Sequence, residues 1–70
     1  MLIIFDNAII NLAHVKEISV AGNEFTFWDR NDKMRLHTFD TEADARKAYE
    51  QIISASKNGE RICDLRELNQ

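Results

Sequence analysis

The feature that most constrains this fold is one strong helix pattern, which follows a series of short strand-like segments. Thr41 and Asp44 match a capping box at its start, and acidic residues there suit the positive end of the helix dipole. Asn58-Gly59 ends it, because glycine accepts the left-handed cap conformation. The residues that recur at helical spacing form one stripe: Ala45, Ala48, Tyr49, Ile52, Ile53 and Ser56. One helix covers only one face of a sheet, so the pattern predicts a second, uncovered face.

The segments before the helix have the alternation and turn residues of short strands. Two apolar runs, residues 2–5 and 8–10, flank Asp6-Asn7, a pair that tolerates positive φ, and this predicts a hairpin. Residues 11–14 lack alternation and predict one helical turn. Three further segments alternate in polarity and predict strands: residues 15–20, 24–29 and 34–39. Gly22-Asn23 and the polar run at residues 30–33 predict the turns between them.

The C-terminal tail, residues 61–70, is compatible with two structures. Ile62, Leu65 and Leu68 recur every three residues, and Asp64 with Glu67 forms a possible second capping box. This spacing favours a short terminal helix. A short strand through Ile62-Cys63 is the alternative, and in either case the three apolar residues predict that the tail docks on the rest of the chain.

Together these segments predict one α+β domain over residues 1–70. The expected fold is an antiparallel β-meander of four to five strands, with one main helix on one face and a short C-terminal helix or strand. A chain of 70 residues buries only about 60% of its unfolded surface. The sole cysteine, Cys63, excludes an intrachain disulfide that would compensate. Two-domain architectures and large catalytic clefts are therefore excluded.

Alternation assigns the strand residues to two faces of the predicted sheet. The face with the large hydrophobic residues is expected to meet the helix: Ile18, Val20, Phe25, Phe27, Met34 and Leu36. The opposite face is mostly polar and can face water in an antiparallel sheet: Glu17, Ser19, Thr26, Trp28, Arg35, His37 and Phe39. Exposed aromatic residues mark interaction sites more often than charged residues do.

The candidate interaction site on that second face consists of Trp28, Arg35, His37 and Phe39. Either the tail folds across Trp28 and buries it, or Trp28 lies in a dimer interface or a partner site. An alternative is a module that binds single-stranded nucleic acid, with Trp28 stacking on bases beside Arg35 and His37. The net charge of −3, from nine basic and twelve acidic residues, argues against non-specific nucleic-acid binding.

The residues that carry chemistry do not form a catalytic or metal-binding pattern. His14 and His37 are the only histidines, and their spacing fits no compact ligand pair. His14 is expected in a turn, His37 as an exposed strand residue and Cys63 as a small core residue. We therefore expect no enzyme activity, no cofactor and no metal. No segment approaches the ~20 apolar residues of a membrane span, and the lone cysteine is typical of a cytoplasmic protein.

Two stretches carry a resemblance: Ile9-Ile10-Asn11-Leu12-Ala13-His14-Val15 and Phe39-Asp40-Thr41-Glu42-Ala43-Asp44-Ala45. In these the chain resembles small uncharacterised bacterial and phage proteins in which a β-meander precedes a Phe-x-Thr/Ser-x-x-x-Ala helix start. The resemblance implies an α+β fold and no chemistry. Our leading hypothesis is a non-enzymatic interaction domain that self-associates, or binds a protein partner, through a sheet face or edge. A phage-type inhibitor of a host machine is a further alternative, by analogy of size and charge.

Overall fold

A computed structural model describes residues 1–68 and shows an α+β fold with two small sheets and one helix. The chain begins with strand β1 (Leu2–Ile4) and strand β2 (Ile9–Asn11), followed by a single 3₁₀ turn, Leu12–His14. The remaining elements follow in chain order: β3 (Val15–Ala21), β4 (Glu24–Asp29), β5 (Met34–Thr38), α1 (Glu42–Lys57) and β6 (Ile62–Asp64).

The first sheet is mixed and has the strand order β2-β1-β6. Its hairpin forms as predicted, with Ile4 opposite Ile9 and the Phe5 N–H bonded to the Ala8 carbonyl at 2.8 Å. The Asp6-Asn7 turn closes without a positive φ at either residue, which differs from the expectation. The other neighbour of β1 is β6, which runs parallel to it and places Ile3 opposite Cys63. This mixed sheet therefore joins the two ends of the described chain.

The second sheet is an antiparallel meander with the order β3-β4-β5. Gly22, at φ +60°, closes the first turn, and Asp32, at φ +65°, lies in the second. The Asp29 carboxylate supports that second turn because it accepts hydrogen bonds from the Asn31 and Lys33 N–H groups at 2.8 and 2.9 Å. The strand and turn predictions for this antiparallel sheet are confirmed.

Helix α1 begins and ends where the sequence predicts. Thr41 is the N-cap, and its hydroxyl oxygen accepts from the Asp44 N–H at 3.1 Å. Gly59 adopts φ +68° beyond the C-cap Asn58. The buried stripe differs from the predicted one, because Tyr49, Ile53 and Ser56 remain exposed and Ala55 is buried. It consists of Ala45, Ala48, Ile52 and Ala55. Among the described residues, no helix has the length and apolar character needed to cross a membrane.

The core lies where the two sheets and the helix meet. Four phenylalanines form its centre, with the rings of Phe25 and Phe39 5.3 Å apart and those of Phe5 and Phe27 5.8 Å apart. The mixed sheet adds a row of small and aliphatic side chains: Ile3, Ile10, Cys63 and Leu65. Aromatic rings at these separations favour tilted and edge-to-face arrangements, which is what the four rings adopt.

One part of the predicted architecture is wrong, and the structure decides between the two alternatives left open for the tail. The antiparallel meander has three strands rather than four or five, because the 3₁₀ turn at Leu12–His14 redirects the chain after β2 and starts a separate sheet. The tail forms strand β6 rather than the favoured helix, since pairing with β1 satisfies its backbone and buries Cys63 and Leu65. Asn69 and Gln70, the end of that predicted tail, lie outside the described residues.

Candidate interaction surfaces

The register of β5 reverses the two faces that alternation assigned to this strand. Phe25 lies opposite His37, and Phe27 lies opposite Arg35. Residues directly opposite in an antiparallel pair share a face. Arg35 and His37 are therefore on the core side of the sheet, and the outer side carries the residues expected in the core, Met34 and Leu36.

The four predicted site residues do not come together on one surface. Trp28 is half-buried on the outer side of the antiparallel sheet, where it lies opposite Met34. Phe39 is 1% exposed in the core and cannot contact a partner. Arg35 and His37 lie on the opposite side of the sheet from Trp28. The geometry therefore does not assemble the base-stacking platform with adjacent cations that the nucleic-acid alternative needs.

The expectation that His37 is an exposed strand residue is also wrong. Its ring is stacked on Phe5, with centroids 4.1 Å apart, and meets Phe39 edge-on at 5.0 Å. Its Nε2 atom is buried without a hydrogen-bond partner among the described residues. Burial lowers the pKa of the imidazole below its ordinary value of 6.5, and the Asp6 carboxylate opposes this with a smaller effect.

This environment predicts that acid weakens the fold. The unfolded chain binds a proton at His37 more tightly than the folded chain does. The contribution of His37 to the free energy of unfolding is therefore fully present above the ordinary histidine pKa and decreases as the pH drops below it. We expect the urea midpoint to fall between about pH 7.5 and about pH 5, and His37→Phe to flatten this dependence. His14→Gln is the matched control, because His14 is exposed. An equal slope in wild type and His37→Phe would contradict the prediction.

The outer side of the antiparallel sheet, here called the tryptophan face, is apolar only along β4 and β5. It combines the half-buried Trp28 with Met34 and Leu36, which are 58% and 51% exposed. Next to them, the register places Glu17 opposite Trp28 and Ser19 opposite Thr26. The described tail does not cover this face, because Ile62–Asp64 pairs with β1 and Leu65 is buried in the core.

The outer side of the mixed sheet, here called the aliphatic face, is apolar across all three of its strands. It consists of Leu2, Ile4, Ile9 and Ile62. Ile9 is 64% exposed, Ile62 53% and Leu2 40%. Ile4 lies opposite Ile9, and Leu2 lies opposite Ile62, so the four side chains are neighbours. Asn11 and Asp64 are the polar residues of these strands on the same side, and Asp64 is paired with Arg66.

A groove of about 360 Å³ opens between the two sheets at one end of the molecule. Ile10, Val15 and Phe27 contribute apolar lining from three different strands. Arg35, Lys33 and His14 line it as well, and Asp29 is the acidic residue among its lining. The groove therefore combines an apolar interior with an excess of cationic side chains, in a chain whose net charge is −3.

The remaining reactive groups are not arranged for catalysis. Cys63 is buried, as the sequence predicts, and burial raises the pKa of its thiol. Residues 1–68 contain no cluster of three or more histidine, cysteine or acidic side chains that could hold a metal ion. Asp64 has its pKa lowered to about 2 by hydrogen bonds from Arg66, as expected for a carboxylate in a close ion pair.

Comparisons of the chain with protein-family models, with curated proteins and with solved structures found no match. Sequence alternation missed the exposure of Met34 and Leu36, because it does not define which face β5 presents. It also missed the aliphatic face, because short apolar runs such as residues 2–5 and 8–10 indicate strands that are buried on both sides. The signal for an exposed apolar face was the excess of isoleucine and leucine in these two runs and in the tail.

Proposed function

We propose that this protein is a non-enzymatic interaction domain that self-associates, and that two copies meet through the aliphatic face as a symmetric homodimer. The observation that carries this proposal is the exposure of Leu2, Ile9 and Ile62 on three adjacent strands, with Ile4 between them. Contiguous apolar patches of this kind are uncommon on monomeric proteins and mark interaction surfaces.

A second copy fits this face better than an unrelated partner of charged character. The four aliphatic side chains carry no charge or hydrogen-bonding group that would select such a partner. A twofold axis through the patch places aliphatic residues against aliphatic residues, which is the self-complementarity that a closed dimer requires. Two sheets that pack face to face lie about 10 Å apart, so the side chains of both copies would interdigitate.

The expected affinity of this dimer is modest. Completing the burial of a half-exposed aliphatic side chain contributes about 1 kcal/mol, and each copy offers three of them. A stable interface buries about 800 Å² per partner, about a sixth of the 4749 Å² surface of this chain. The patch alone is smaller than that, so we expect a dimer that dissociates on dilution between millimolar and micromolar concentration rather than a permanent dimer.

The tryptophan face supports self-association less well. Trp28 is already half-buried, and the pairing of β3 with β4 places the Glu17 carboxylate directly beside it. In a symmetric contact through this face, two carboxylates would lose water near an apolar centre, which is unfavourable. A partly polar face of an antiparallel sheet is stable in water without a partner.

Sedimentation of matched variants tests this proposal. Ile62→Lys places a charge in the aliphatic face and is expected to weaken dimerisation by at least about tenfold, because a lysine from each copy would lose water at an apolar interface. Leu36→Lys is the matched control, since Leu36 is exposed to almost the same degree on the other sheet. Neither change removes a buried side chain, so both variants are expected to fold.

The salt dependence distinguishes apolar from ionic association. Each copy carries a charge of −3, so screening by added salt is expected to strengthen the dimer slightly. A monomer that does not respond to concentration would contradict self-association. A dimer lost in Leu36→Lys and retained in Ile62→Lys would instead assign the interface to the tryptophan face.

A further inference from the structure

We propose that the groove between the two sheets is a docking site for an extended acidic peptide of a partner protein, which adds as a fourth strand along the free edge of β5. Ile9 lies at the border of the groove and the aliphatic face, and the proposal does not depend on self-association. Three properties of the groove support it: an apolar interior, unpaired cations and a strand edge with free backbone groups.

The interior of the groove gives a bound chain something to pack against. Phe27 enters it from β4, and Ile10 enters it from the mixed sheet, so the groove reaches the border of the core. Val15, at the start of β3, also lines it. A volume of about 360 Å³ accommodates a few side chains of a bound segment, which is the lower range for a ligand site.

The charges of the groove indicate that a bound peptide segment should be negatively charged. Lys33 and Arg35 have no ion-pair partner among residues 1–68. The Asp29 carboxylate is their acidic neighbour, and its Oδ1 atom already accepts two backbone N–H groups. Asp29 can balance at most one of the two cations, so the groove keeps an excess of positive charge, and an incoming carboxylate would form the charge-assisted hydrogen bonds that arginine and lysine favour.

The backbone of β5 offers hydrogen bonds on the side away from β4. The Asp29 N–H bonds to the Lys33 carbonyl, and the Phe39 N–H bonds to the Asn23 carbonyl. Because hydrogen-bonding direction alternates along a strand, the odd-numbered residues of β5 bond to β4 and the even-numbered residues point away from it. Met34 and Leu36 consequently direct their N–H and carbonyl groups to the free edge. An exposed edge of this kind is the template that strand-addition peptides use.

Alternation along an added strand predicts the sequence pattern of the peptide. Every second side chain would lie on the core side of the sheet, where its methylene groups would contact the apolar lining of the groove and its carboxylate would reach Lys33 and Arg35, so these positions favour glutamate. The intervening side chains would lie on the outer side, beside Met34 and Leu36, and these positions favour aliphatic residues. The expected ligand is therefore a segment in which acidic and aliphatic residues alternate.

Fluorescence anisotropy with a labelled octapeptide of alternating glutamate and valine tests this site. We expect saturable binding that weakens with added salt, and at least about tenfold weaker binding of the peptide with lysine in place of glutamate. The double variant Lys33→Gln, Arg35→Gln is expected to lose the preference for the acidic peptide. Both side chains are exposed, so this change is expected to preserve the fold.

Leu36→Pro tests strand addition separately from charge. Proline removes an N–H that points to the free edge, so the β4–β5 hydrogen bonds remain and peptide binding is expected to be lost. Ile62→Lys is expected to bind the peptide as well as wild type does, which separates this site from the dimer interface. Equal binding of the acidic and basic peptides would overturn the proposal. Unchanged binding by both the Lys33→Gln, Arg35→Gln double variant and Leu36→Pro would overturn it as well. So would binding of free glutamate as tight as that of the octapeptide.

Discussion

Replacing Phe27 with alanine is expected to destabilise the protein by about 3–5 kcal/mol, which is comparable to the whole stability of a domain of this size. Phe27 is 3% exposed, and its ring contacts those of Phe5 and Phe25 at centroid distances of 5.8 and 5.9 Å. Removing the ring leaves a cavity where the two sheets meet, and a small core has few residues that can move to fill it. Circular dichroism and urea unfolding at neutral pH measure the loss.

The neighbouring residue provides the matched control for Phe27. Trp28 has a larger side chain, but it lies on the opposite side of the same strand and is only half-buried. We expect Trp28→Ala to lower the free energy of unfolding by less than half as much as Phe27→Ala, because the substitution leaves a smaller cavity at a side chain that is only half-buried. Equal destabilisation by the two substitutions would show that the tryptophan face is covered, contrary to the structure.

Replacing Leu65 with alanine is expected to cost about 2–5 kcal/mol. Leu65 is fully buried directly after β6, and its N–H donates to the Ile4 carbonyl at 2.9 Å. The substitution keeps that backbone bond and removes the side chain that anchors the tail to the core. The loss of anchoring is expected to expose β1 as well, because β6 is one of its two neighbours.

Ile62→Ala is the control for the tail, since Ile62 lies in β6 on the outer side of the mixed sheet. Its effect on stability is expected to stay below about 1 kcal/mol, because a half-exposed side chain loses little burial. Urea unfolding compares both variants with wild type. Similar small effects of Leu65→Ala and Ile62→Ala would mean that the tail does not dock as a buried strand.

Local sequence signals were sufficient for the elements that local chemistry determines. The Thr41 cap and Gly59 stop define helix α1 because their hydrogen bonds and backbone angles involve residues a few positions away. The turn at Gly22 follows from the same kind of signal. The buried side of β4 was also predictable, because Phe25 and Phe27 alternate with polar residues.

Pairing between distant segments was not predictable from those signals. The β1–β6 pair joins Ile3 to Cys63, and no periodicity within the tail distinguishes a strand that has such a partner from a helix that lacks one. Both structures bury Leu65. The strand forms because the free side of β1 needs hydrogen bonds, which is a property of the folded arrangement.

The face assignment of β5, on which the candidate site was based, depended on one register and was wrong. A change of one residue in register moves every side chain of a strand to the other face. Alternation within residues 34–39 grouped Met34 with Leu36 and Arg35 with His37 correctly, but it assigned the two groups to the wrong sides. The error placed His37 and Phe39 on the expected surface and Leu36 in the core, whereas Phe39 is buried and Leu36 is exposed.

The most direct test of the dimer proposal is a dilution series of amide chemical shifts on labelled protein. Between micromolar and millimolar concentration, we expect shifts that follow a single monomer–dimer equilibrium and cluster at β1, β2 and β6, with the largest changes near Ile9 and Ile62. Residues of the tryptophan face, such as Trp28 and Leu36, are expected to remain unchanged. Spectra that do not change with dilution, or changes centred on β4 and β5, would contradict the proposal.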